Sequence, residues 1–262
     1  MTTLIKTKDF VDSIYEALQF ISYYHPRDFL KAMKRAYDLE QNPAAKDAIA
    51  QILINSRMCA QGHRPLCQDT GAVTCFVKIG MDVRFEGDMT VQEMVDEGTR
   101  RAYCCATNPL RKSVLVDPIG ARTNTRDNTP AVVHIEMVKG DKVEVAIAAK
   151  GGGSENKTHL KMLNPSDSIV DYVLSELPHM GAGWCPPGII GIGVGGTPEK
   201  SAILAKESLN DPIDIQELIA RGPKTSEEKL RVELYDKINR LGIGPQGFGG
   251  TVTCLAVNIE QA

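Results

Sequence analysis

The sequence has no excess of basic residues: 30 Lys and Arg stand against 33 Asp and Glu, a formal charge of −3. It therefore lacks the cationic field that holds a nucleic-acid backbone or an anionic membrane surface. No apolar run approaches the roughly 18 to 20 residues that a membrane-spanning helix needs, so a soluble protein is expected. The first ten residues carry no basic stretch followed by an apolar one and a small-residue cleavage site, so export is not expected and the cytoplasm is. No C-x-x-C pair occurs among the seven cysteines, which argues against zinc ribbons, ferredoxin-type sites and thioredoxin-like chemistry. The histidines, His25, His63, His134, His159 and His179, show no ligand spacing such as H-x-x-x-H and read as structural or surface groups.

What is present is a chain of 262 residues, 42% apolar, long enough for one large domain or two modest ones with a proper core. Without export, Cys59, Cys67, Cys75, Cys104, Cys105, Cys185 and Cys254 read as thiols, metal ligands or catalytic groups before disulfides. Any cluster they hold must be assembled from distant loops.

Apolar residues recur at helical spacing through the first sixty residues, at Phe10, Val11, Ile14, Leu18 and Ile21, then from Pro26 to Tyr37, then from Pro43 to Leu53. Beyond Arg64 the texture changes to short β-rich runs broken by Gly and Pro. The expected organisation is a helical region over 1–64 and an α/β region over 65–262, in the mixed α/β (α+β) class with a mixed sheet flanked by helices. Strands are expected at Ala72–Ile79, Ile189–Val194 and Thr251–Ile259, with a hairpin pairing Val132–Val138 and Val143–Ala149 across Lys139-Gly140-Asp141. Helices are expected at Val91–Ala106, Ser166–Leu177, Thr197–Leu209 and Ser226–Leu241, with Asn210–Lys224 as an exposed connection.

Four segments could carry chemistry. Cys67-Gln68-Asp69-Thr70-Gly71 sits just before a strand, where a thiol and a carboxylate would project from a sheet edge; the plain reading is an Asp-Thr-Gly turn. An aspartic protease would need a second such aspartate and a β-rich chain. In Lys150-Gly151-Gly152-Gly153-Ser154-Glu155-Asn156-Lys157, three glycines leave N–H groups open to an anion between flanking lysines; the plain reading is a flexible loop. Gly183-Trp184-Cys185-Pro186-Pro187-Gly188 places a thiol on a stiff turn ahead of an apolar strand, as a ligand or as a buried structural cysteine. Arg111, in Asn108–Ser113, could clamp a carboxylate with its planar fork, or be a solvated surface arginine, and Arg122 and Arg126 share that ambiguity. Gly191, Gly193 and Gly196 match G-x-G-x-x-G formally, but the first two fall inside the expected strand, which weakens a nucleotide-binding oxidoreductase or a non-catalytic nucleotide-binding module.

Taken together and in this order, these segments, with Leu110-Arg111-Lys112-Ser113, Gly195-Gly196-Thr197 and Gly242 to Gly250, resemble the iron–sulfur-dependent class I fumarate hydratases and the similar α subunit of tartrate dehydratase. The resemblance implies a hydro-lyase that interconverts fumarate and malate, a step of the tricarboxylic acid cycle, with tartrate as the alternative substrate. It implies a [4Fe–4S] cluster with one iron open to substrate, acting as a Lewis acid. Carried over by motif, Cys67 and Cys185 are cluster ligands, Gln68, Asp69, Arg111 and Gly153 touch a small dicarboxylate, and Asp69 is the catalytic candidate. The third cysteine of the family is expected beyond Ala262, with Cys254, on an expected strand, as the internal alternative. The chain then reads as a piece of a longer two-domain enzyme, a homodimer in its full form. A C-terminal domain or a β subunit would complete the pocket, and the chain alone would hold an incomplete cluster and be inactive.

Overall fold

The helical spacing of the opening segment is realised almost throughout, in a computed structural model that describes residues 2–262. In chain order the elements are β1 (Thr3–Lys6), α1 (Thr7–Tyr23), α2 (Arg27–Leu39), α3 (Pro43–Gly62), β2 (Ala72–Gly80), β3 (Val83–Glu86), α4 (Val91–Tyr103), β4 (Leu115–Val116), β5 (Thr123–Asn124), β6 (Val132–Val138) and β7 (Val143–Lys150). They continue with α5 (Gly152–Glu155), α6 (Ile169–Met180), β8 (Gly188–Val194), α7 (Pro198–Glu207), α8 (Ile215–Arg221), α9 (Ser226–Asn239) and β9 (Cys254–Gln261). This is the mixed α/β class expected. Two compact units share the chain: the first uses residues up to Tyr24 and Ser56–Gly152, the second His25–Asn55 and Gly153–Ala262.

In the first unit, β2 is the middle of a three-stranded sheet, parallel to β6 and antiparallel to β7. The expected β6–β7 hairpin is therefore not a direct pair. Burial explains the difference: Val73, Cys75, Phe76, Val77 and Ile79 of β2 are all buried, and a strand so apolar gains most where both its edges and both its faces are covered. The loop between β6 and β7 passes around the end of β2, with Gly80 N–H donating to Lys142 O at 2.8 Å and Asp82 N–H to Gly140 O at 2.9 Å. The apolar stripe of α1, Phe10, Val11, Ile14 and Leu18, packs with Met94, Val95 and Ala102 of α4 over this sheet. Thr90 and Glu93 close the start of α4 as a reciprocal capping pair. The short β1, which pairs in parallel with β3, was not readable from sequence, because four residues are too few to register a period.

In the second unit, β8 and β9 pair in parallel. Successive residues of β9 serve different cores: Leu255 packs with Met33, Ala36 and Ile49, Ala256 with Ile215 and Leu218, and Val257 with Leu177, Leu234 and Ile238. The segment 210–224, expected as an exposed connection, contains α8 instead, and its Ile215 and Leu218 are each 1% exposed. Their i, i+3 spacing is a single helical turn, too short a signal to outweigh the surrounding Asn, Asp and Pro. No helix among the described residues is long and apolar enough to cross a membrane.

Glu40, at the end of α2, is 1% exposed, and its carboxylate gathers the chain around it. Oε1 accepts the N–H groups of Gln41 and Asn42, each at 2.9 Å, and the Thr251 hydroxyl at 3.1 Å. Oε2 accepts Thr251 N–H at 2.9 Å and Val252 N–H at 3.3 Å. Burial alone would raise the Glu40 carboxyl, but these donors outweigh it and hold it below its ordinary value. Because the folded value is depressed, its stabilisation is complete above the unfolded value of 4.5 and is lost as pH falls below that and through the folded value. Glu40→Ala should cost about 3 kcal/mol at neutral pH by stranding several buried N–H groups. Glu40→Gln should show a shallower acid loss of thermal midpoint than the parent, and parallel pH profiles in thermal melts would contradict this account.

Candidate functional site

The loop between α3 and β2 is pinned at Leu66, whose N–H donates to Ser22 O at 2.8 Å, and it then presents Cys67 with an exposed thiol. The Asp69 backbone N–H points at Cys67 Sγ from 3.4 Å, and the thiol lies 3.2 Å from Gln68 Oε1. Asp69 Oδ1 accepts Gly71 N–H at 3.2 Å, closing an Asx turn, while Oδ2 accepts Gly152 N–H at 2.8 Å. Part of the glycine loop thus already serves an anion, and that anion is Asp69. Gly71 is required here: its φ is +74°, and a Cβ would stand 2.5 Å from the Lys150 backbone.

Two buried side chains that sequence reasoning did not single out set this turn. Tyr103, wholly buried at the end of α4, donates to Thr70 O at 2.6 Å and Gly71 O at 3.1 Å. Burial, and secondarily the Asp69 carboxylate, push its phenol well up, so it remains a neutral donor. Asn128, also wholly buried, donates to Gly71 O at 3.0 Å and accepts Ser113 N–H at 2.7 Å and Val114 N–H at 3.3 Å. The Thr70 hydroxyl donates to Arg111 O at 2.7 Å. The Asp69 turn and the Arg111 loop are therefore one hydrogen-bonded assembly. Nothing in the spacing of the polar residues ahead of Pro130 distinguished the one that points inward.

The Arg111 side chain is exposed and pairs with no carboxylate among the described residues of its unit, so its guanidinium is available to an anion. Arg122 and Arg126 are exposed as well, and Arg122 Nε donates to Pro118 O at 3.1 Å.

In the second unit Cys185 is exposed on the turn leading into β8, its φ is +59°, and its N–H donates to Ala182 O at 3.0 Å. Gly153 and Lys157 of the glycine loop pack on this turn. A Cβ on Gly183 would lie 2.8 Å from Lys157 Cε, and one on Gly153 would lie 2.7 Å from Gly183 O. Two motifs read separately in the sequence thus meet within this unit, with a cation close to the cysteine turn. Glu155 is ion-paired with Lys206. Gly191 and Gly193 lie inside β8 and α7 opens at Pro198, so this G-x-G-x-x-G does not form a phosphate loop.

The cysteines divide by environment. Cys59, Cys75 and Cys254 are buried, and burial pushes all three thiols up, Cys75 to about 12. Cys254 is 0% exposed among the residues of α6 and α9, so it presents no thiol to a ligand. Hydrogen bonds from Thr107 and then Tyr15 pull Cys105 down to about 7. Among the described residues no group of three His, Cys, Asp or Glu side chains is placed to hold a metal ion. What the exposed loops do offer is an accessible cysteine sulfur at Cys67 and at Cys185. The N–H aimed at Cys67 Sγ is the kind of donor that stabilises a metal-bound thiolate.

A family model described as Fumarate hydratase (Fumerase) matches residues 11–262. The chain is 34% identical over 258 residues to the putative L(+)-tartrate dehydratase subunit alpha of Methanocaldococcus jannaschii, covering 96% of this chain and 88% of that protein. It is 30% identical over 249 residues to the L(+)-tartrate dehydratase subunit alpha of Escherichia coli (strain K12), covering 92% of this chain and 78% of that protein.

If Asn128 ties the two loops together, Asn128→Asp should do more harm than its small change in shape suggests, because it sets an oxygen against Gly71 O in place of the amide donor. The expected loss is about 2 kcal/mol in denaturant unfolding. A neutral effect would remove Asn128 from this role.

Proposed function

The chain belongs to the fumarate hydratase (Fumerase) family, and on that premise we propose that it is the α-type chain of an enzyme that adds water across the double bond of fumarate to give malate, and removes it again. Hydration and dehydration are two directions of one reaction, so hydro-lyase chemistry is common to the family description and to the relatives' names. The observation that carries the reading is the Cys67–Asp69 turn, in which a thiol with an N–H directed at its sulfur adjoins a carboxylate fixed by two backbone donors.

Cys67 and Cys185 would hold a [4Fe–4S] cluster, which when bound supplies an open iron that acidifies the hydroxyl leaving or entering the substrate. Around it, this chain's residues bind and orient. The Arg111 guanidinium pairs with one substrate carboxylate in a planar, two-bond geometry. The Gln68 amide and the Gly153 N–H donate to the substrate's oxygens. Asp69 keeps a free lone pair on each carboxylate oxygen after accepting from Gly71 and Gly152, and with one of them it takes up the proton or orients the group that does.

The relatives are named as alpha subunits, and we extend that arrangement to this chain. A β-type partner or a further domain would supply the remaining cluster ligand and the cations for the second carboxylate, since Arg111 serves one end of a dicarboxylate only. The names of the relatives also support a second reading, L(+)-tartrate as substrate, by the same chemistry on a molecule with one more hydroxyl.

The test is to reconstitute the chain with its partner anaerobically, using iron and sulfide, and to compare kcat/KM for malate and tartrate. Malate is expected to be the better substrate. A preference for tartrate would transfer the assignment to the second reading, and saturable micromolar binding of NAD without either activity would overturn both. Arg111→Ala should lower kcat/KM for malate by about tenfold to a thousandfold, the loss expected for a charge-assisted contact of roughly 1.5 to 4 kcal/mol. Unchanged kinetics would remove Arg111 from the site.

A further inference from the structure

We propose that Gln246 is a positioning residue for Cys185, a role that rests on the reading of Cys185 as a cluster ligand. Both hydrogen-bond donors of Gln246 converge on one carbonyl, that of the residue after the cysteine. Its backbone N–H reaches Pro186 O at 2.6 Å and its Nε2 reaches the same oxygen at 2.9 Å.

The chemistry of the turn explains why a clamp of this kind is needed. Pro186 and Pro187 have no N–H, so the chain after Cys185 can be fastened only through its carbonyls. Cys185 itself adopts a left-handed backbone at φ +59°, a conformation that a side-chain-bearing residue keeps only when its surroundings impose it. Gln246 is left-handed too, at φ +53°. Two left-handed residues, one of them bonded to the carbonyl that follows the other, are a costly way to begin a strand and a direct way to fix a thiol.

Gln246 is in turn held by a stiff loop. Gly244 N–H donates to Thr253 Oγ1 at 3.1 Å, Gly247 N–H to Gly244 O at 3.1 Å, and Gly249 N–H to Ile243 O at 2.9 Å. Asn42 Nδ2 donates to Phe248 O at 3.0 Å and Gly249 O at 3.2 Å, and Glu40 fixes Thr251 and Val252. An unbroken series of hydrogen bonds therefore runs from the end of α2 to the residue beside Cys185.

The test is Gln246→Gly, which keeps the backbone N–H and accepts the left-handed conformation more readily than Gln but removes Nε2. Amide hydrogen exchange is followed residue by residue, together with the thermal midpoint. We expect the Cys185 amide to exchange at least tenfold faster while the midpoint stays level or rises. In the chain reconstituted together with its partner, using iron and sulfide, cluster absorbance should be lost to a chelator at least tenfold faster than in the parent. Unchanged exchange at Cys185 would overturn the proposal, as would a lowered midpoint with exchange raised throughout the unit, which is the mark of a merely structural residue. Should the parent chain take up no cluster even together with its partner, the cluster reading fails by that result, and the exchange at Cys185 still decides whether Gln246 holds the turn.

Discussion

The carboxylate of Asp69 is fixed by the backbone N–H groups of Gly71 and Gly152, and the candidate site loops of the first unit depend on that arrangement. A partly buried carboxylate without donors is costly, so these two bonds oblige the glycine loop after β7 to approach the turn before β2. The approach is possible because Gly71 has no side chain to meet the Lys150 backbone. Behind the turn, Tyr103 and Asn128 converge on the Gly71 carbonyl, and Asn128 extends the same network to Ser113 and Val114. A turn, a helix end and two loops thereby become one rigid support for Gln68, Asp69 and Arg111.

The second unit solves a similar problem with a different carboxylate. Glu40 is buried completely and is satisfied entirely by protein donors, which suits a structural anchor. Asp69 is only partly buried and retains acceptor capacity, as the role proposed for it requires. Glu40 accepts five of these hydrogen bonds and Asp69 two, and that difference is what leaves Asp69 acceptor capacity.

The cysteines follow the same division. In Cys59, Cys75 and Cys254 burial disfavours the thiolate, so these behave as small apolar side chains of the cores. Cys67 and Cys185 are exposed, each on a turn shaped by backbone hydrogen bonds. A cysteine binds a metal ion through a deprotonated sulfur, a form that burial disfavours in these three thiols.

Much of this was legible in the sequence by itself. Apolar spacing over ten or more residues marked α1, α2 and α3, and the four loop motifs marked where functional side chains would be sought, because period and turn chemistry are local properties. The family, too, follows from the order of those motifs along the chain. Tertiary structure alone decided which strand takes the middle of the sheet. β2 separates β6 from β7 because its burial on both faces outweighs the local preference for a hairpin, and that comparison is not available to any short window of sequence. It alone decided that α8 forms in a segment rich in Asn, Asp and Pro, where Ile215 and Leu218 find a core partner in Ala256 of β9. It alone singled out Tyr103, Asn128 and Gln246, whose polar atoms act on backbone groups at least 14 residues away along the chain. Their roles follow from position in space, and residue type and local spacing carry no trace of them.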